Sequence, residues 1–248
     1  MIRMEYIVLD EVASTNTYCK DHSAEIEAPA AVRGIAQTAG RGQRGNFWEA
    51  APGENLTFSI VWNPEGIAPK EQFAVSEATA LGVCSYLRSR GIEAKVKWPN
   101  DIYVGDRKIC GILIEHSIIG MDLQRSVIGV GINVNQVEFK SDAPNPVSMW
   151  QLTGSRYDLE KELAAAVGEI SALLESASVS GGREKIHSAF IASLWRGDGK
   201  AYPFRDRATG KTYQGRIEDV EAAGCLIVRN AATGVKNRYA FKEVEFIL

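Results

Sequence analysis

The sequence contains few of the residues that build metal centres and disulfide frameworks. It has four cysteines and three histidines in 248 residues. The cysteines show no CxxC spacing, which argues against a zinc site or a set of disulfides; they stand at 19, 84, 110 and 225. Cys110 lies in an apolar, strand-like stretch, so we expect a buried small side chain there rather than a nucleophile.

Long apolar runs are also absent. No window approaches the roughly 18 apolar residues that a membrane-spanning helix needs. The N-terminal stretch MIRMEYIVLDEV has too short an apolar segment, and too early an acidic residue, for a signal peptide. We therefore expect a cytoplasmic protein that does not contact a membrane.

The sequence also lacks a large excess of positive or negative charge. Lysine and arginine total 28 against 31 for aspartate and glutamate, a formal net charge of −3. This balance argues against a dedicated nucleic-acid-binding protein, although it is compatible with a local basic patch. The histidines at 22, 116 and 187 are too scattered to indicate a Ser-His-Asp site, and we expect His116 to be a surface or hydrogen-bonded residue.

Apolar periodicity predicts a mixture of strands and helices up to about residue 196. The predicted strands are 4–9, 31–37, 55–63, 94–98, 109–119 and 126–135, and the predicted amphipathic helices are 70–90, 159–174 and 184–194. From Gly197 onward, short β-like stretches alternate with Gly, Asp and Asn turns, which is the pattern of a small β-barrel. We therefore predict two domains, residues 1–196 and 197–248.

The stretch GRGQRGNFW, residues 40–48, has neither a strand nor a helix period. Its three glycines let the backbone turn freely and approach a ligand closely. Backbone amides in such a loop can cradle an anion, and Arg41 and Arg44 add fixed positive charge. A flexible, solvated surface loop is the alternative interpretation. The GxxxxGK[ST] pattern of a Walker A loop is absent.

Two further motifs carry polar residues at strand ends. KVKWPND, residues 95–101, sets Asn100 and Asp101 in a turn, where they would place a metal–phosphate complex or simply bond to the local backbone. In RKICGILIE, residues 107–115, Lys108 precedes an apolar run, so its ammonium would face a cavity or remain a solvated hairpin residue. Glycines in that stretch and in GVGIN permit close approach of a ligand to a strand.

Taken in this order, the motifs resemble those of the biotin–protein ligases, the holocarboxylase synthetase family. The matching stretches are STN at 14–16, QTAGRGQRGNFW at 37–48, KWPNDIYV at 97–104, KICGILIE at 108–115 and GVGINVN at 129–135. The resemblance covers the chain from about residue 5 to 195. The combination of GRGxxG…W with KWPND and KxxGILxE is specific, whereas each motif alone is weak evidence.

The resemblance implies an α+β fold of the class II aminoacyl-tRNA-synthetase/biotin-ligase type: a mixed sheet flanked by helices, followed by a small SH3-like β-barrel. It also implies an enzyme, biotin–[acetyl-CoA-carboxylase] ligase, that uses ATP, biotin and Mg²⁺. Such an enzyme forms biotinyl-5′-AMP and then transfers biotin to a lysine of a biotin carboxyl carrier domain. The alternatives are a lipoate–protein ligase or octanoyltransferase-like enzyme and a non-catalytic biotin-binding module. The oligomeric state, monomer or homodimer, stays open.

The resemblance further implies a role for each matching residue. Arg41, Lys97 and Lys108 would be catalytic, because they would neutralise the charge of two anionic substrates. Biotin would be bound at its ureido group by Ser14, Thr15, Asn16 and Gln37, at its rings and chain by Gly111, Ile112 and Gly131, and at its carboxylate by Arg41, Gly42, Gln43 and Lys108. Gly40 would be a further biotin-binding residue. ATP would be bound by Arg41, Arg44, Trp48, Lys97, Asn100, Lys108 and Asn133.

Two features depart from the family pattern. Some members carry an N-terminal DNA-binding module, whereas the matching motifs begin almost at residue 1 here, so we expect neither DNA binding nor repression. The family's loop often holds two further arginines where this sequence has Gln43 and Asn46. We also expect the loop at 38–49 to be mobile without ligand, because it is glycine-rich and its like charges have no internal partner.

Overall fold

The computed structural model describes residues 4–120, 122–140 and 145–247, except for the side chain of Arg44. Its strands are β1 Glu5–Val12, β2 Ala30–Gln37, β3 Leu56–Trp62, β4 Lys95–Lys97, β5 Asp101–Val104, β6 Arg107–Ile119, β7 Asp122–Ile132, β8 Tyr202–Asp206, β9 Thr212–Val220, β10 Leu226–Asn230, β11 Lys236–Tyr239 and β12 Val244–Phe246. Its helices are α1 Thr15–Asp21, α2 Phe73–Ser89, α3 Met149–Thr153, α4 Leu159–Ser178 and α5 Gly182–Ser193, with short 3₁₀ turns at Gln43–Gly45 and Pro69–Glu71.

The first seven strands form one mixed sheet in the order β1-β2-β3-β7-β6-β5-β4. β1 and β2 are parallel, and the other neighbours are antiparallel. Alternate residues of a strand face opposite sides of its sheet, so β3 presents Phe58 and Ile60 to one side and Thr57 and Ser59 to the other. All of β3 is buried, because both sides of the sheet are covered at this central strand.

The apolar side of the sheet is covered by α2 and α4. These helices cross at close range, since a Cβ added at Gly82 would lie 2.6 Å from the Cα of Ile170. Phe58, Ile60 and Leu87 are completely buried in the same layer. Burial of each such side chain contributes about 1.5–3 kcal/mol to the stability of the fold.

The opposite side of the sheet is only partly covered. α1 packs there, where Cys19 belongs to a small buried cluster with Val32 and Val61. Beyond α1, the glycine-bearing parts of β6 and β7 remain uncovered by any helix in the described residues. This leaves a concave surface on the polar side of the sheet.

The last five strands form an antiparallel sheet in the order β11-β10-β9-β8-β12. Its buried side chains, among them Phe204, Val220 and Val228, join the same apolar cluster as the first sheet. Trp98, which follows β4, donates a hydrogen bond from Nε1 to the carbonyl oxygen of Gly224 at 3.0 Å. The second sheet is therefore attached directly to the edge of the first, close to the KWPND motif.

His187 links three elements at this attachment. Its Nδ1 lies 2.8 Å from Oε1 of Glu77 in α2, and its Nε2 lies 3.1 Å from Oδ1 of Asp219 in β9. Partial burial disfavours the charged imidazolium, but the two carboxylates outweigh burial and raise the pKa of His187 above 6.5. Protonated His187 therefore stabilises the contact between α5, α2 and the second sheet.

The architecture confirms the predicted mixed α+β fold: a large mixed sheet, flanking helices and a C-terminal antiparallel sheet. α2 begins at Phe73 rather than at residue 70, because Pro69–Glu71 forms a separate 3₁₀ turn. The sequence pattern does not predict α3 and β8, since five residues are too few to show a period. The division into residues 1–196 and 197–248, and the closure of the second sheet into a barrel, stay predictions.

All four cysteines are buried and free, and Cys110 is completely buried as expected. His116 is hydrogen-bonded as predicted, with Nδ1 2.8 Å from Oγ of Ser126, and burial lowers its pKa. Across the described ranges, no helix combines the length and apolar character that crossing a membrane requires.

Candidate active site

The uncovered part of the large sheet is the floor of a cleft with a volume of about 880 Å³. Three segments border this cleft: the N-terminal end of α1, the loop at 40–48 and the C-terminal sheet. Small-molecule sites in proteins commonly have volumes of about 300–1,000 Å³. The cleft is therefore large enough for an extended ligand or for two ligands side by side.

Glycines form the floor because side chains there would collide with the loop above. Gly111 of β6 and Gly131 of β7 are cross-strand neighbours. The indole of Trp48 lies on both: a Cβ added at Gly131 would lie 2.6 Å from Trp48 Nε1, and one at Gly111 would lie 2.9 Å from Trp48 Cζ3. Gly129 leaves similar room for the amide of Asn16. The glycines thus allow flat groups to lie directly against the sheet.

A network of polar side chains occupies one part of the cleft. Thr15 and Asn16 begin α1, and both are buried. The Thr15 backbone N–H donates to Gln37 Oε1 at 2.8 Å, and Asn16 Nδ2 donates to Glu115 Oε2 at 3.0 Å and to the Leu113 carbonyl oxygen at 3.1 Å. Nε2 of Gln37 has no hydrogen-bond partner among the described residues, so its N–H groups are available to a ligand.

Ser59 of β3 lies beneath this network and is completely buried. Its Oγ lies 2.7 Å from Oγ1 of Thr15 and 2.6 Å from Oδ1 of Asn16. Ser59 lies in none of the sequence motifs that predict the site. The available signal was a hydroxyl residue inside an apolar strand, on the same side as Thr57. Ser59 does not line the cleft, and its effect on a ligand would pass through Thr15 and Asn16.

The glycine-rich loop folds back on itself. The Gly42 N–H donates to the Asn46 carbonyl oxygen at 2.7 Å, and the Trp48 N–H donates to the Gly40 carbonyl oxygen at 3.0 Å. Gly40 does not line the cleft, although the sequence analysis assigns it to biotin. A Cβ at Gly40 would collide with the carbonyl of Trp48, so the residue shapes the turn that brings Trp48 over the sheet.

Of the two arginines in this loop, Arg41 is the one whose side chain the structure describes. Its Nη1 and Nη2 each lie 3.2 Å from an oxygen of Glu115, a residue outside the loop. The charge of Arg41 therefore has a partner outside the loop, contrary to the expectation of unpartnered charges, and mobility of the loop stays a prediction. The side chain of Arg44, also assigned to ATP, lies outside the described residues.

Glu115 of β6 accepts hydrogen bonds from three side chains. Besides Arg41, Asn16 donates at 3.0 Å and Lys20 at 3.1 Å. Burial favours the neutral carboxylic acid, but the hydrogen bonds from Asn16, Lys20 and Arg41 outweigh burial and hold the pKa of Glu115 below 4.5. Ionised Glu115 thus ties the loop to the polar network.

Lys108 faces the cleft, which confirms one of the two sequence interpretations. Its Nζ lies 2.6 Å from Oδ1 of Asp101 on the neighbouring strand β5. The same ammonium lies 5.5 Å from the centre of the Trp48 ring. Lys108 and Asp101 are 23% and 22% exposed, so the pair is reachable from the cleft yet poorly hydrated.

Lys97 is enclosed by aromatic rings. Its Nζ donates to the Tyr103 hydroxyl at 2.8 Å and lies 5.7 and 6.0 Å from the ring centres of Trp195 and Phe246. Burial lowers the pKa of Lys97, even though nearby Asp101 acts in the opposite direction. An anion brought to Lys97 would restore favourable surroundings for its charge.

Two asparagines at the cleft differ in what they leave unpaired. Asn100 Nδ2 donates to the Ile112 carbonyl oxygen at 2.6 Å, which fixes the turn after Lys97. Asn133 Nδ2 donates to the Val147 carbonyl oxygen at 3.1 Å, but its Oδ1 is buried with no partner among the described residues. Nε1 of Trp48 is in the same situation. Since buried polar atoms are normally paired, these two atoms are candidates for ligand contacts.

The cleft brings most of the sequence-predicted residues together. Its lining includes Ser14, Thr15, Asn16, Gln37, Arg41, Gly42, Gln43, Trp48, Lys97, Asn100, Lys108, Gly111, Ile112, Gly131 and Asn133. It also includes residues that the sequence analysis did not assign, namely Arg207, Phe241, Lys242, Val244, Glu245 and Phe246. No motif marks this second set, because its location depends on how the C-terminal sheet packs.

The fold has counterparts among solved structures. The biotin protein ligase from Aquifex aeolicus, solved in complex with biotin and ATP, matches with a TM-score of 0.78 and 22% sequence identity over 97% of each chain. The biotin protein ligase from Leishmania major, solved in complex with biotinyl-5-AMP, matches with a TM-score of 0.66 and 20% identity, over 95% of this chain and 98% of that one. Fold and cleft together define a protein of the biotin-protein-ligase fold class.

The sequence comparisons narrow this class to a family. The model of the Biotin/lipoate A/B protein ligase family matches residues 8–133, and the chain belongs to that family. Bifunctional ligase/repressor BirA of Escherichia coli (strain K12) is 34% identical over 172 residues, which are 68% of this chain and 53% of that protein. Biotin--[acetyl-CoA-carboxylase] ligase of Paracoccus denitrificans is 29% identical over 237 residues, 91% of this chain and 94% of that protein. The chain thus spans about half the length of the Escherichia coli relative.

Proposed function

We propose that the protein is an ATP-dependent biotin–protein ligase. It joins biotin to ATP, giving biotinyl-5′-AMP and pyrophosphate, and then transfers the biotinyl group to a lysine of a biotin carboxyl carrier domain. The observation that carries this proposal is one cleft with a polar network, a glycine floor and several cations. A ligand with a ureido group, a compact bicyclic ring system and a carboxylate needs these three features together.

In the first step, a carboxylate oxygen of biotin attacks the α-phosphorus of ATP, and the bond to the pyrophosphate oxygen breaks. Both reactants are anions, so the site must reduce their repulsion and hold them in line. Arg41, Lys97 and Lys108 supply positive charge for this purpose. The step transfers no proton, which is compatible with a cleft whose described lining contains no histidine.

The polar network would bind the ureido group of biotin. A ureido carbonyl needs donors and its N–H groups need acceptors, and a site that pairs them rejects ligands lacking these groups. The unpaired N–H groups of Gln37 support this assignment. The proposed biotin contacts are Ser14, Thr15, Asn16 and Gln37 at the ureido group, Gly111, Ile112 and Gly131 along the rings and chain, and Arg41, Gly42, Gln43 and Lys108 at the carboxylate.

Trp48 and Asn133 would contact the adenosine of ATP, since each keeps a buried polar atom without a partner among the described residues. Asn100 and Arg44 would contact the phosphates. Mg²⁺ would arrive with ATP, because this ion is commonly held by one or two protein carboxylates together with substrate phosphates. No cluster of three metal-ligating side chains occurs in the described residues, and Asp101 is the carboxylate beside Lys108 that would contribute.

In the second step, the amine of an acceptor lysine attacks the acyl carbonyl, and AMP leaves with the bridging oxygen. An amide bond forms, and the surplus proton of the amine passes to solvent. The mixed anhydride would hydrolyse if water reached it, so closure of the loop at 38–49 would protect it. The contact of Arg41 with Glu115 supports a role for this loop as a cover attached to the polar network.

We also propose the finer features that the family resemblance implies. The C-terminal antiparallel sheet would close into an SH3-like barrel, forming a domain from residue 197 onward. The protein would act in the cytoplasm, where its four buried cysteines stay reduced. Its acceptor would be a carboxylase carrier subunit, and it would act as a monomer or a homodimer.

Mass spectrometry of a carrier domain incubated with the protein, biotin, ATP and Mg²⁺ tests the proposal. The expected result is the addition of one biotinyl group that requires ATP and is lost in Lys108→Ala. Biotin-dependent exchange of labelled pyrophosphate into ATP tests the first step alone. Acylation by lipoate or octanoate instead of biotin would replace the proposal with the alternative, and no modification with any of these acids would overturn it.

A further inference from the structure

The C-terminal sheet brings charged side chains to the cleft that the proposed reaction has not used. Arg207, Lys242 and Glu245 all line it. Nη2 of Arg207 lies 3.5 Å from Oε2 of Glu245, so these two residues are paired. Lys242 is exposed, and its contact is with the ring of Phe241, whose centre lies 5.8 Å from Nζ. No carboxylate in the described part of the chain pairs with Lys242, so its charge is available to a ligand.

The other described cations of the cleft already have partners. Arg41 and Lys108 lie 3.2 and 2.6 Å from carboxylate oxygens. Lys97 is enclosed by aromatic rings and bonded to the hydroxyl of Tyr103 at 2.8 Å. A nucleoside triphosphate brings several negative charges into this cleft. Internal pairing therefore leaves a need for further positive charge, and Lys242 meets it.

The backbone of Lys242 supports a role for its side chain. Its φ is 71°, in the left-handed region that glycine adopts at lower cost than lysine. In the described residues, twelve glycines and three other residues have positive φ, so Lys242 is an exception to the rule that this chain follows. The backbone conformation at this position favours glycine, so the advantage of lysine lies in its ammonium group.

We infer that Lys242 binds the phosphates of ATP that leave as pyrophosphate, at the border between the cleft and the C-terminal sheet. This inference rests on the proposed ligase function. As the bond between the α-phosphorus and the bridging oxygen breaks, negative charge builds up on the leaving group, and an ammonium beside it stabilises that charge. The sheet therefore contributes to the first step as well as bordering the site.

The test compares Lys242→Gln, Lys242→Gly and Lys242→Arg with Lys211→Gln, a matched loss of charge at an exposed lysine that does not line the cleft. Lys242→Gln and Lys242→Gly are expected to raise the KM for ATP and the inhibition constant of pyrophosphate about tenfold, as loss of one charge-assisted hydrogen bond predicts. Lys242→Arg and Lys211→Gln are expected to behave like the unaltered protein. The KM values for biotin and for the carrier domain are expected to stay unchanged.

The Lys242→Gly variant separates an effect on ligand binding from an effect on folding. Lys242→Gly relieves the left-handed backbone, so its melting temperature is expected to equal or exceed that of the unaltered protein. A rise in the KM for the carrier domain without one for ATP would show that Lys242 binds the acceptor and would overturn the inference, as would unchanged constants. If the unaltered protein makes no adenylate, the proposed function fails. Calorimetric titration of the unaltered protein and of Lys242→Gln with ATP and with pyrophosphate then still tests whether Lys242 binds phosphates.

Discussion

Replacing Ser59 with alanine tests whether the polar network is held in place from below. Ser59 is completely buried and does not line the cleft, so the change removes no ligand contact directly. It removes the hydroxyl that lies 2.7 Å from Thr15 Oγ1 and 2.6 Å from Asn16 Oδ1. Both partners are themselves buried, and water does not readily replace the lost group.

The magnitude follows from these contacts. A buried hydrogen bond contributes about 1 kcal/mol, and leaving its partner unsatisfied raises the cost to about 1–3 kcal/mol. The free energy of unfolding is therefore expected to fall by about 2 kcal/mol. Thr15 and Asn16 would also lose their fixed orientation, and loss of about 1.4 kcal/mol of biotin binding corresponds to a tenfold weaker affinity. ATP affinity is expected to stay the same, because the network lies with the proposed ureido contacts.

Urea unfolding measures the first quantity, and calorimetric titration with biotin and with ATP measures the second. Ser171→Ala is the matched control, since Oγ of Ser171 is buried with no hydrogen-bond partner among the described residues and lies outside the cleft. That control is expected to retain both stability and affinity. If Ser59→Ala binds biotin as tightly as the control does, the network does not position Thr15 and Asn16, and the argument for Ser59 is refuted.

Three further changes test other parts of the molecule. Gly131→Val is expected to abolish biotin binding in calorimetry, because even a Cβ collides with Trp48, whereas Gly168→Ala, where an added Cβ meets nothing within 4 Å, is expected to be tolerated. Lys108→Ala is expected to slow pyrophosphate exchange about 100-fold, a far larger loss than the weakening of biotin binding, and equal losses would contradict its role. The raised pKa of His187 adds stability that is complete below about pH 6.5 and is lost as the pH rises through the folded-state pKa. His187→Gln should therefore lower the melting temperature more on the acidic side of this range than on the alkaline side; an equal loss on both sides would show that the charge is not involved.

Local patterns account for the parts of the fold that the sequence predicts well. α2 ends at Ser89, and Gly91 with a φ of 74° closes it, as its helical apolar spacing and its glycine indicate. β3 is buried on both sides, in agreement with its β-branched and aromatic composition. β6 and β7 are antiparallel neighbours, and their apolar runs predict both strands.

In the candidate site too, residues carried by local motifs were predictable and residues brought together by long-range packing were not. Motif residues such as Thr15, Lys108 and Gly131 were predictable because each motif carries its own residues. The role of Glu115 was not, since its partners Arg41 and Asn16 are 74 and 99 residues away in sequence. The C-terminal lining was not predictable for the same reason: only the packing of one sheet on another brings it to the cleft.

The donors around Glu115 would let the cleft accept an anion at Arg41 without leaving that carboxylate unpaired. A ligand that binds as proposed competes with Glu115 for Arg41. The Arg41 side chain is 44% exposed and that of Glu115 is 22% exposed, so moving Arg41 away mainly affects the less hydrated carboxylate. Glu115 keeps hydrogen bonds from Lys20 and Asn16 when Arg41 moves to a ligand, so its charge stays compensated. The additional donors would thus let Arg41 be held in position by Glu115 and still leave it for the proposed substrate at low cost.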